Sequence, residues 1–186
     1  RPIQDLLDGL NQIGATARSI DDTGCPPVDI TAGRITGNRV RLRCADSSQY
    51  LSAMMLMAPC TSEGLYIEVT QGPVSTPYID LTIDIMRRFG VTVDGMDYSA
   101  FRIPGGQRYR AGTYHVAADS SQAGYFWAAA AITGATVTVS GIRRSSLQGD
   151  TGLSDIFKEM GCRVTDGESG ITVTGGALNG VSVDMG

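Results

Sequence analysis

The sequence contains a single histidine, His115, and a single lysine, Lys158, among its 186 residues. Its four cysteines are widely spaced and form no Cys-x-x-Cys pair, so the ligand spacing of a zinc site is absent. No apolar run approaches the roughly 20 residues that a membrane-spanning helix needs. The cysteine pattern fits a reducing compartment without a bound metal, and we expect a cytoplasmic protein.

Charge and apolar content indicate a folded domain. Apolar residues make up 42% of the sequence and charged residues 18%, whereas disordered chains combine low hydrophobicity with high charge. The formal net charge is −4, without the basic surplus that is typical of nucleic-acid-binding proteins. We therefore expect a globular protein whose partners are neither nucleic acid nor membrane.

Both ends of the sequence lie next to structured patterns. Apolar residues recur at helical spacing over residues 3–13, directly after Arg1 and Pro2. An alternating strand pattern has just begun at residues 181–183 when the sequence stops at Gly186. Natural domains usually end in polar segments, so this pattern indicates an internal piece of a longer protein.

One pattern of helices and strands occurs twice. Ser47-Ser48-Gln49 opens an almost wholly apolar helix, and Ser120-Ser121-Gln122 opens another 73 residues later. Each is followed by an alternating strand and by an amphipathic helix that stops at a glycine, Gly90 or Gly161. Two further strands close each copy, and they are predicted at 91–94 and 100–103, then at 162–165 and 171–174.

The repeat predicts an α/β fold built from βαβαββ units. The helix over residues 3–13 ends at Gly14 as its counterpart ends at Gly90, so the chain begins with the second half of an earlier unit. Because the two Ser-Ser-Gln helices are apolar nearly all round, we expect them to be buried, with the sheets outside. The sequence therefore predicts two βαβαββ units and half of a third, with helices in the interior.

The start of the first Ser-Ser-Gln helix is the main candidate binding site. A helix N-terminus presents unpaired N–H groups and the positive end of the helix dipole, which favour an anion. Ser47 and Ser48 add hydroxyl donors, and the Gln49 amide can bond two ligand groups at once. The alternative is that Ser47 only caps the helix, as serine often does.

Two further helix starts carry similar side chains. Ser75 stands shortly before Pro77, and Asp119 stands before the second Ser-Ser-Gln sequence. On the residues alone, we weigh a helix cap above a ligand role for both. His115 is expected on a strand face, without an acidic or nucleophilic partner that would indicate catalysis.

Six ordered motifs extend over nearly the whole chain, and together they resemble the EPSP synthase (3-phosphoshikimate 1-carboxyvinyltransferase) family. They are Arg1-Pro2-Ile3-x-x-Leu6, Ser47-Ser48-Gln49-x-Leu51-Ser52-Ala53, Ser75-x-Pro77-Tyr78-Ile79-Asp80-Leu81-Thr82, Phe101-x-x-x-Gly105-Gly106-Gln107-x-Tyr109, Tyr125-Phe126-x-Ala128-Ala129-Ala130-Ala131-Ile132 and Gln148-Gly149-Asp150.

The resemblance implies a two-lobed enolpyruvyl-transferase fold with three βαβαββ units in each lobe. Such an enzyme transfers the enolpyruvyl group of phosphoenolpyruvate to the 5-hydroxyl of shikimate 3-phosphate, releasing phosphate, in the shikimate pathway of aromatic amino-acid biosynthesis. It needs no cofactor, and we expect a monomer at full length. Residues 1–116 would form the C-terminal part of the first lobe, and residues 117–186 the first unit of the second lobe with the start of the next.

The resemblance also implies which residues bind substrate. Arg1 matches an arginine that grips phosphoenolpyruvate, the two serines of the first motif match ligands of the shikimate phosphate, and Gln49 touches both substrates. The full set of substrate-binding residues predicted in this way is Arg1, Ser47, Ser48, Gln49, Ser75, Tyr78 and Asp119.

Several functional parts of the family have no counterpart in this sequence. They include the N-terminal substrate contacts, the Gly-rich loop that bears on inhibition by glyphosate, and the catalytic aspartate, which should lie a few residues beyond Gly186. No catalytic residue is therefore assigned, and the chain alone is expected to be a half-site without turnover.

Two alternatives stay open. UDP-N-acetylglucosamine enolpyruvyl transferase also carries Arg-Pro at the start of the equivalent helix, but Ser47-Ser48-Gln49 and residues 77–80 suit a small phosphorylated ring better than a nucleotide sugar. The second alternative is a non-catalytic repeat module that binds anions or a partner chain.

Overall fold

Helices and strands alternate through two units, which divide between Gly112 and Thr113. The computed structural model describes residues 2–31 and 33–183. In the first unit the elements follow one another as α1 (Gln4–Gln12), β1 (Thr16–Ser19), β2 (Val28–Thr31), β3 (Arg39–Arg43), α2 (Gln49–Met57), β4 (Gly64–Gln71), α3 (Thr76–Arg88), β5 (Asp94–Met96) and β6 (Ala100–Pro104).

The strands of the first unit form a hairpin and a sheet. β1 and β2 pair antiparallel, and the larger sheet has the order β3-β4-β6-β5. Within that sheet β3 and β4 are parallel, while β6 is antiparallel to both β4 and β5. The stretch from β3 to β6 is therefore the complete βαβαββ unit that the repeat predicts, and α1, β1 and β2 supply the predicted half unit.

Strand alternation decides which face of this sheet is buried. Leu65 and Ile67 of β4 and Phe101 of β6 are at most 2% exposed and pack with apolar residues of α2 and α3. On the opposite face of β3, Arg39 and Arg41 are exposed. The helices of this unit thus lie on the core side of the sheet, and its charged face is the outer one.

The strand after α3 begins later than predicted. The sequence pattern placed it at 91–94, whereas β5 spans Asp94–Met96. Val91 instead donates its backbone N–H to the Met86 carbonyl at 3.0 Å, and Val91 and Val93 are buried in the core. These two valines therefore belong to the buried turn that ends α3 and not to the strand. Pairing with β6 begins after them, at Asp94.

The second unit repeats most of the same order. It contains α4 (Ser120–Thr133), β7 (Thr136–Ser140), α5 (Leu153–Glu159), β8 (Arg163–Gly167) and β9 (Gly170–Thr174). Its antiparallel sheet has the order β7-β9-β8, which matches β4-β6-β5 of the first unit. Gly90 and Gly161 follow the two amphipathic helices with φ of +83° and +108°, as the predicted glycine stops require.

The counterpart of β3 is missing from the described part of the second unit, which corrects one expectation. Residues 107–119 form neither helix nor strand, so His115 lies in an irregular, exposed segment rather than on a strand face. Val116 in this segment is 87% exposed. Because Val116 is so exposed, its burial does not help to offset the entropy cost of ordering this segment as a strand.

Both Ser-Ser-Gln helices are buried along one face, as expected, and part of the opposite face is exposed in the residues that the structure describes. Trp127 of α4 is fully buried, but Tyr125, Phe126 and Ile132 are 74%, 60% and 77% exposed, and Leu56 of α2 is 43% exposed. Within the second unit α4 packs against β7, β9 and α5, which cover one side of the helix. Across residues 2–31 and 33–183, moreover, no helix combines the length and apolarity needed to cross a bilayer.

Candidate functional site

The parallel pairing of β3 and β4 brings the starts of α2 and α3 to one edge of the first sheet. β3 ends at Arg43 and β4 at Gln71, and these two residues are register partners. In open α/β sheets ligands bind outside the carboxyl ends of parallel strands, where the following helices begin. Two helix starts that are far apart in sequence therefore meet at this edge.

A pocket of about 410 Å³ lies between these two helix starts. Its lining includes five of the predicted substrate-binding residues, which are Ser47, Ser48, Gln49, Ser75 and Tyr78. The rest of the lining consists of Asp46, Ser52, Val74, Leu81, Thr82 and Ile85. Of the other two predicted residues, Arg1 lies outside the described residues and Asp119 belongs to the second unit.

At the start of α2, one of the two serines bonds to the helix backbone and the other does not. The Ser47 hydroxyl accepts the backbone N–H of Gln49 at 3.2 Å, so the capping alternative is right in part for Ser47. Ser48 occupies the N-cap position but makes no side-chain capping bond, although it is 4% exposed. The pocket lining therefore includes a buried serine whose hydroxyl does not cap the helix.

The start of α3 is built differently from the predicted cap. Ser75 stands at the N-cap position with a left-handed backbone, φ 56° and ψ 50°, and its hydroxyl makes no capping bond. The expectation that Ser75 caps the helix is therefore wrong. A non-glycine residue held in this region stores about 1–3 kcal/mol of strain, and such residues cluster at functional sites.

The two loops that carry these serines are joined to each other through Cys44. Its N–H donates to the Gln71 carbonyl at 2.8 Å, and its carbonyl accepts the N–H of Val74 at 3.2 Å. Gly72 has φ +89°, and a Cβ at this position would lie 2.6 Å from the Cys44 carbonyl oxygen. The close approach of the two loops therefore requires glycine at position 72.

The floor of the pocket is a hydrogen-bonded chain that sequence reasoning missed. The Thr82 hydroxyl donates to the Tyr78 carbonyl at 2.7 Å and lies 2.8 Å from the Ser52 hydroxyl. Ser52 follows Ser48 by four residues and Thr82 follows Tyr78 by four, so each lies on the same helix face as the predicted residue. That spacing is the signal in the sequence that could have identified both residues.

Two neighbouring side chains at the start of the loop before α2, Arg43 and Cys44, have shifted pKa values. Within the described lining the charged side chain is Asp46, and hydrogen bonding and Coulomb attraction from Asp46 hold the pKa of the Arg43 guanidinium above its ordinary value. Burial, with a smaller contribution from Asp5, raises the pKa of the Cys44 thiol to about 11. The thiol thus stays protonated near neutral pH and is a poor nucleophile.

The second Ser-Ser-Gln helix has its N-terminus closed by the protein itself. Asp119 accepts the N–H groups of Ser121 and Gln122 at 2.8 and 3.2 Å, which confirms the cap interpretation for Asp119. The side-chain oxygen of Gln148 accepts the N–H of Ser120 at 2.9 Å. The same tripeptide therefore starts two different helix ends. In the first unit the N-cap residue Ser48 makes no side-chain capping bond beside a pocket, and in the second the first N–H groups are bonded by Asp119 and Gln148.

Comparison with known proteins gives consistent matches. A family model described as EPSP synthase (3-phosphoshikimate 1-carboxyvinyltransferase) matches residues 1–186. A 3-phosphoshikimate 1-carboxyvinyltransferase from Sulfurovum sp. (strain NBC37-1) is 42% identical over 186 residues, covering 100% of this chain and 44% of the relative. The chloroplastic enzyme of that name from Arabidopsis thaliana is 44% identical over 178 residues, covering 94% of this chain and 34% of the relative. The chain thus spans less than half the length of these relatives.

Solved structures share the fold. An EPSP synthase from Acinetobacter baumannii superposes with a TM-score of 0.67 at 25% identity, covering 94% of this chain and 38% of that one. The enolpyruvyl transferase NikO from Streptomyces tendae superposes with a TM-score of 0.64 at 18% identity, covering 94% and 42%. The second likeness, at its lower identity, bears on the fold alone.

Proposed function

The chain belongs to the EPSP synthase family, and we propose that it forms the part of such an enzyme that binds shikimate 3-phosphate. The complete reaction transfers the enolpyruvyl group of phosphoenolpyruvate to the 5-hydroxyl of shikimate 3-phosphate and releases phosphate. Because the chain spans 34% to 44% of the relatives quoted above, turnover is proposed for a full-length enzyme that carries this sequence.

One observation supports this proposal most strongly. Side chains from two helix starts, Ser47 to Gln49 on one side and Ser75 and Tyr78 on the other, line a single pocket. A phosphate needs several hydrogen-bond donors that converge from different directions, and a helix N-terminus favours its negative charge. Apolar lining from Leu81 and Ile85 suits the ring that would carry the phosphate.

The proposed roles are those that the family resemblance implies, and the shared pocket supports them. Ser47 and Ser48 bind the phosphate, with Ser75 and Tyr78 contacting the same substrate from α3. The Gln49 amide has both a donor and an acceptor end, so it can contact shikimate 3-phosphate and phosphoenolpyruvate together. Arg1 and Asp119 are proposed as additional substrate contacts on the family resemblance alone.

The proposed reaction is an addition followed by an elimination. The 5-hydroxyl oxygen bonds to C2 of phosphoenolpyruvate and gives up its proton while the methylene carbon accepts one. The C2–O bond to phosphate then breaks as the new methyl group loses a proton, which restores the double bond. The pocket orients the acceptor for these steps, and the groups that transfer protons are proposed to lie elsewhere in the full-length enzyme.

We further propose, from the sequence alone, that the full-length enzyme is a monomer and works in the cytoplasm. The Arabidopsis relative is described as chloroplastic, whereas the Sulfurovum relative carries no such description.

Phosphate release by a full-length enzyme carrying this sequence tests the proposal. Release is expected when phosphoenolpyruvate is supplied with shikimate 3-phosphate, and absent when shikimate or UDP-N-acetylglucosamine replaces it. Release with UDP-N-acetylglucosamine instead would assign the alternative transferase activity, and no release with any acceptor would favour the non-catalytic module.

A further inference from the structure

A carboxylate lines the pocket that is proposed to bind a doubly charged phosphate. Asp46 directly precedes Ser47, its side chain is 70% exposed, and it belongs to the pocket wall. An uncompensated carboxylate at this position would repel an anionic ligand. Its attraction to a nearby cation would also affect the position of the segment from Ser47 to Gln49.

The cation that the structure provides is Arg43, the last residue of β3. The register of β3 with β4 shifts between Leu42 and Arg43, an irregularity that re-aims a side chain at the end of a strand. The Arg43 guanidinium donates to Asp46 and, at 3.3 Å, to Asp5 of α1. Its Nε donates to the side-chain oxygen of Gln71 at 3.0 Å.

These contacts connect both halves of the pocket. Asp46 begins the segment that carries the α2 serines, and Gln71 ends the strand that leads to Ser75. Asp5 connects the same guanidinium to α1. Arg43, which is not part of the pocket lining, therefore contacts the segments that lead into both α2 and α3.

We propose that Arg43 is a positioning residue for the phosphate site, where it neutralises Asp46 and fixes the loop before Ser47. This inference rests on the proposed function in taking the ligand to be a phosphate. Arg43 and Asp46 side chains are 41% and 70% exposed, and exposed ion pairs add little to folding stability. Loss of the pair is therefore expected to be felt in ligand binding more than in unfolding.

The chain offers a matched control on the same strand. Arg41 pairs with Glu68 at 3.5 Å, with side chains 71% and 48% exposed, and neither residue lines the pocket. Arg41→Met removes the same charge from β3 as Arg43→Met. An effect of net charge alone would be the same in both variants, whereas an effect through Asp46 would be confined to Arg43→Met.

Calorimetric titration of the chain with shikimate 3-phosphate, and separately with inorganic phosphate, tests the inference. Arg43→Met is expected to weaken binding roughly tenfold, within the usual range for coupled residues, and Arg41→Met less than about twofold. Asp46→Asn combined with Arg43→Met should restore binding to within about threefold of the original chain. The loss in Arg43→Met should shrink at high salt, because repulsion by Asp46 is screened.

Binding by Arg43→Met equal to that of the original chain would overturn the inference, and so would a double variant no better than Arg43→Met. If Arg43→Met does not fold, Arg43→Gln provides the comparison. It removes the charge but keeps a hydrogen-bonding amide, so weaker binding that Asp46→Asn restores supports the inference, and unchanged binding overturns it. If inorganic phosphate binds with the expected pattern while a full-length enzyme carrying this sequence does not bind shikimate 3-phosphate, the proposed function fails and the role of Arg43 stands.

Discussion

The hydroxyl of Ser52 lies 2.8 Å from the hydroxyl of Thr82 and joins α2 to α3 beneath the pocket. Because the Thr82 hydroxyl donates its proton to the Tyr78 carbonyl, Ser52 is the donor in this pair. The bond fixes the spacing of the two helices one turn below the predicted ligands.

Ser52→Ala is expected to destabilise the first unit by about 1 kcal/mol, the usual contribution of one hydrogen bond. Binding of shikimate 3-phosphate should weaken several-fold, because the helix starts are then less well positioned. Denaturant unfolding and calorimetric titration measure the two effects. Thr133→Val, which removes a bond from Thr133 to the Ala129 carbonyl in α4, should leave ligand binding unchanged. An equal loss of binding in both variants would contradict the role of Ser52.

Gln49→Ala is expected to impair both substrates in a full-length enzyme carrying this sequence. Its amide is proposed to bond two ligands, so the KM of each should rise about tenfold, as for the loss of one hydrogen bond to a charged ligand. Steady-state kinetics with each substrate varied in turn gives the two values. Gln4→Ala on α1, outside the pocket lining, is the control. A rise for shikimate 3-phosphate alone would remove the bridging role.

Asp119→Ala is expected to lower the stability of the second unit by about 1 kcal/mol, because α4 loses its N-cap. Asp119→Asn keeps an oxygen that can accept the same two N–H groups and should retain most of that stability. Denaturant unfolding separates the two variants. If Asp119→Asn keeps stability but loses turnover in the full-length enzyme, the carboxylate also has the substrate contact proposed for it. Equal stability of Asp119→Ala and the original chain would refute the cap.

Stability is expected to fall at alkaline pH because of Cys44. The folded chain raises the pKa of this thiol from 9.0 to about 11, so the folded state binds the proton more tightly than the unfolded state does. The stability from this shift is fully present below pH 9.0 and is lost as pH rises toward 11. The loss in the free energy of unfolding reaches about 2 kcal/mol near pH 11.

Unfolding of Cys44→Ala at neutral and alkaline pH checks this expectation. The variant should lose less stability between the two conditions than the original chain. Cys60→Ala, at an exposed cysteine, should show the full loss. A fall of the same size in all three proteins would assign the effect to other groups.

Local sequence patterns predicted most helices and strands, whereas the position of the pocket depends on pairing between segments that are distant in sequence. The apolar periodicity after Ser47 and Ser120 and the glycines at 90 and 161 were enough to place α2 to α5, because helix formation and termination depend on neighbours in sequence. The start of β5 was missed because Val91 and Val93 are as apolar as strand residues, and tertiary packing rather than propensity decided where they lie.

The pocket itself could be anticipated only in parts. Each helix start was recognised as a candidate, but the meeting of Ser48 with Ser75 depends on β3 and β4 being parallel neighbours. The left-handed backbone of Ser75 has no signature in the sequence, since serine is common at helix caps. The pairing of Arg43 with Asp46 was missed because both residues look like ordinary surface charges in the sequence.

Calorimetric titration of this chain with shikimate 3-phosphate and with shikimate tests most directly whether the pocket between α2 and α3 binds a phosphate. The account predicts that shikimate 3-phosphate binds at least about tenfold more tightly than shikimate, as hydrogen bonds to a charged group would give. It also predicts that Ser47→Ala with Ser48→Ala abolishes this difference. Equal affinity for the two ligands in the folded chain, or a difference that survives loss of both serines, would contradict it.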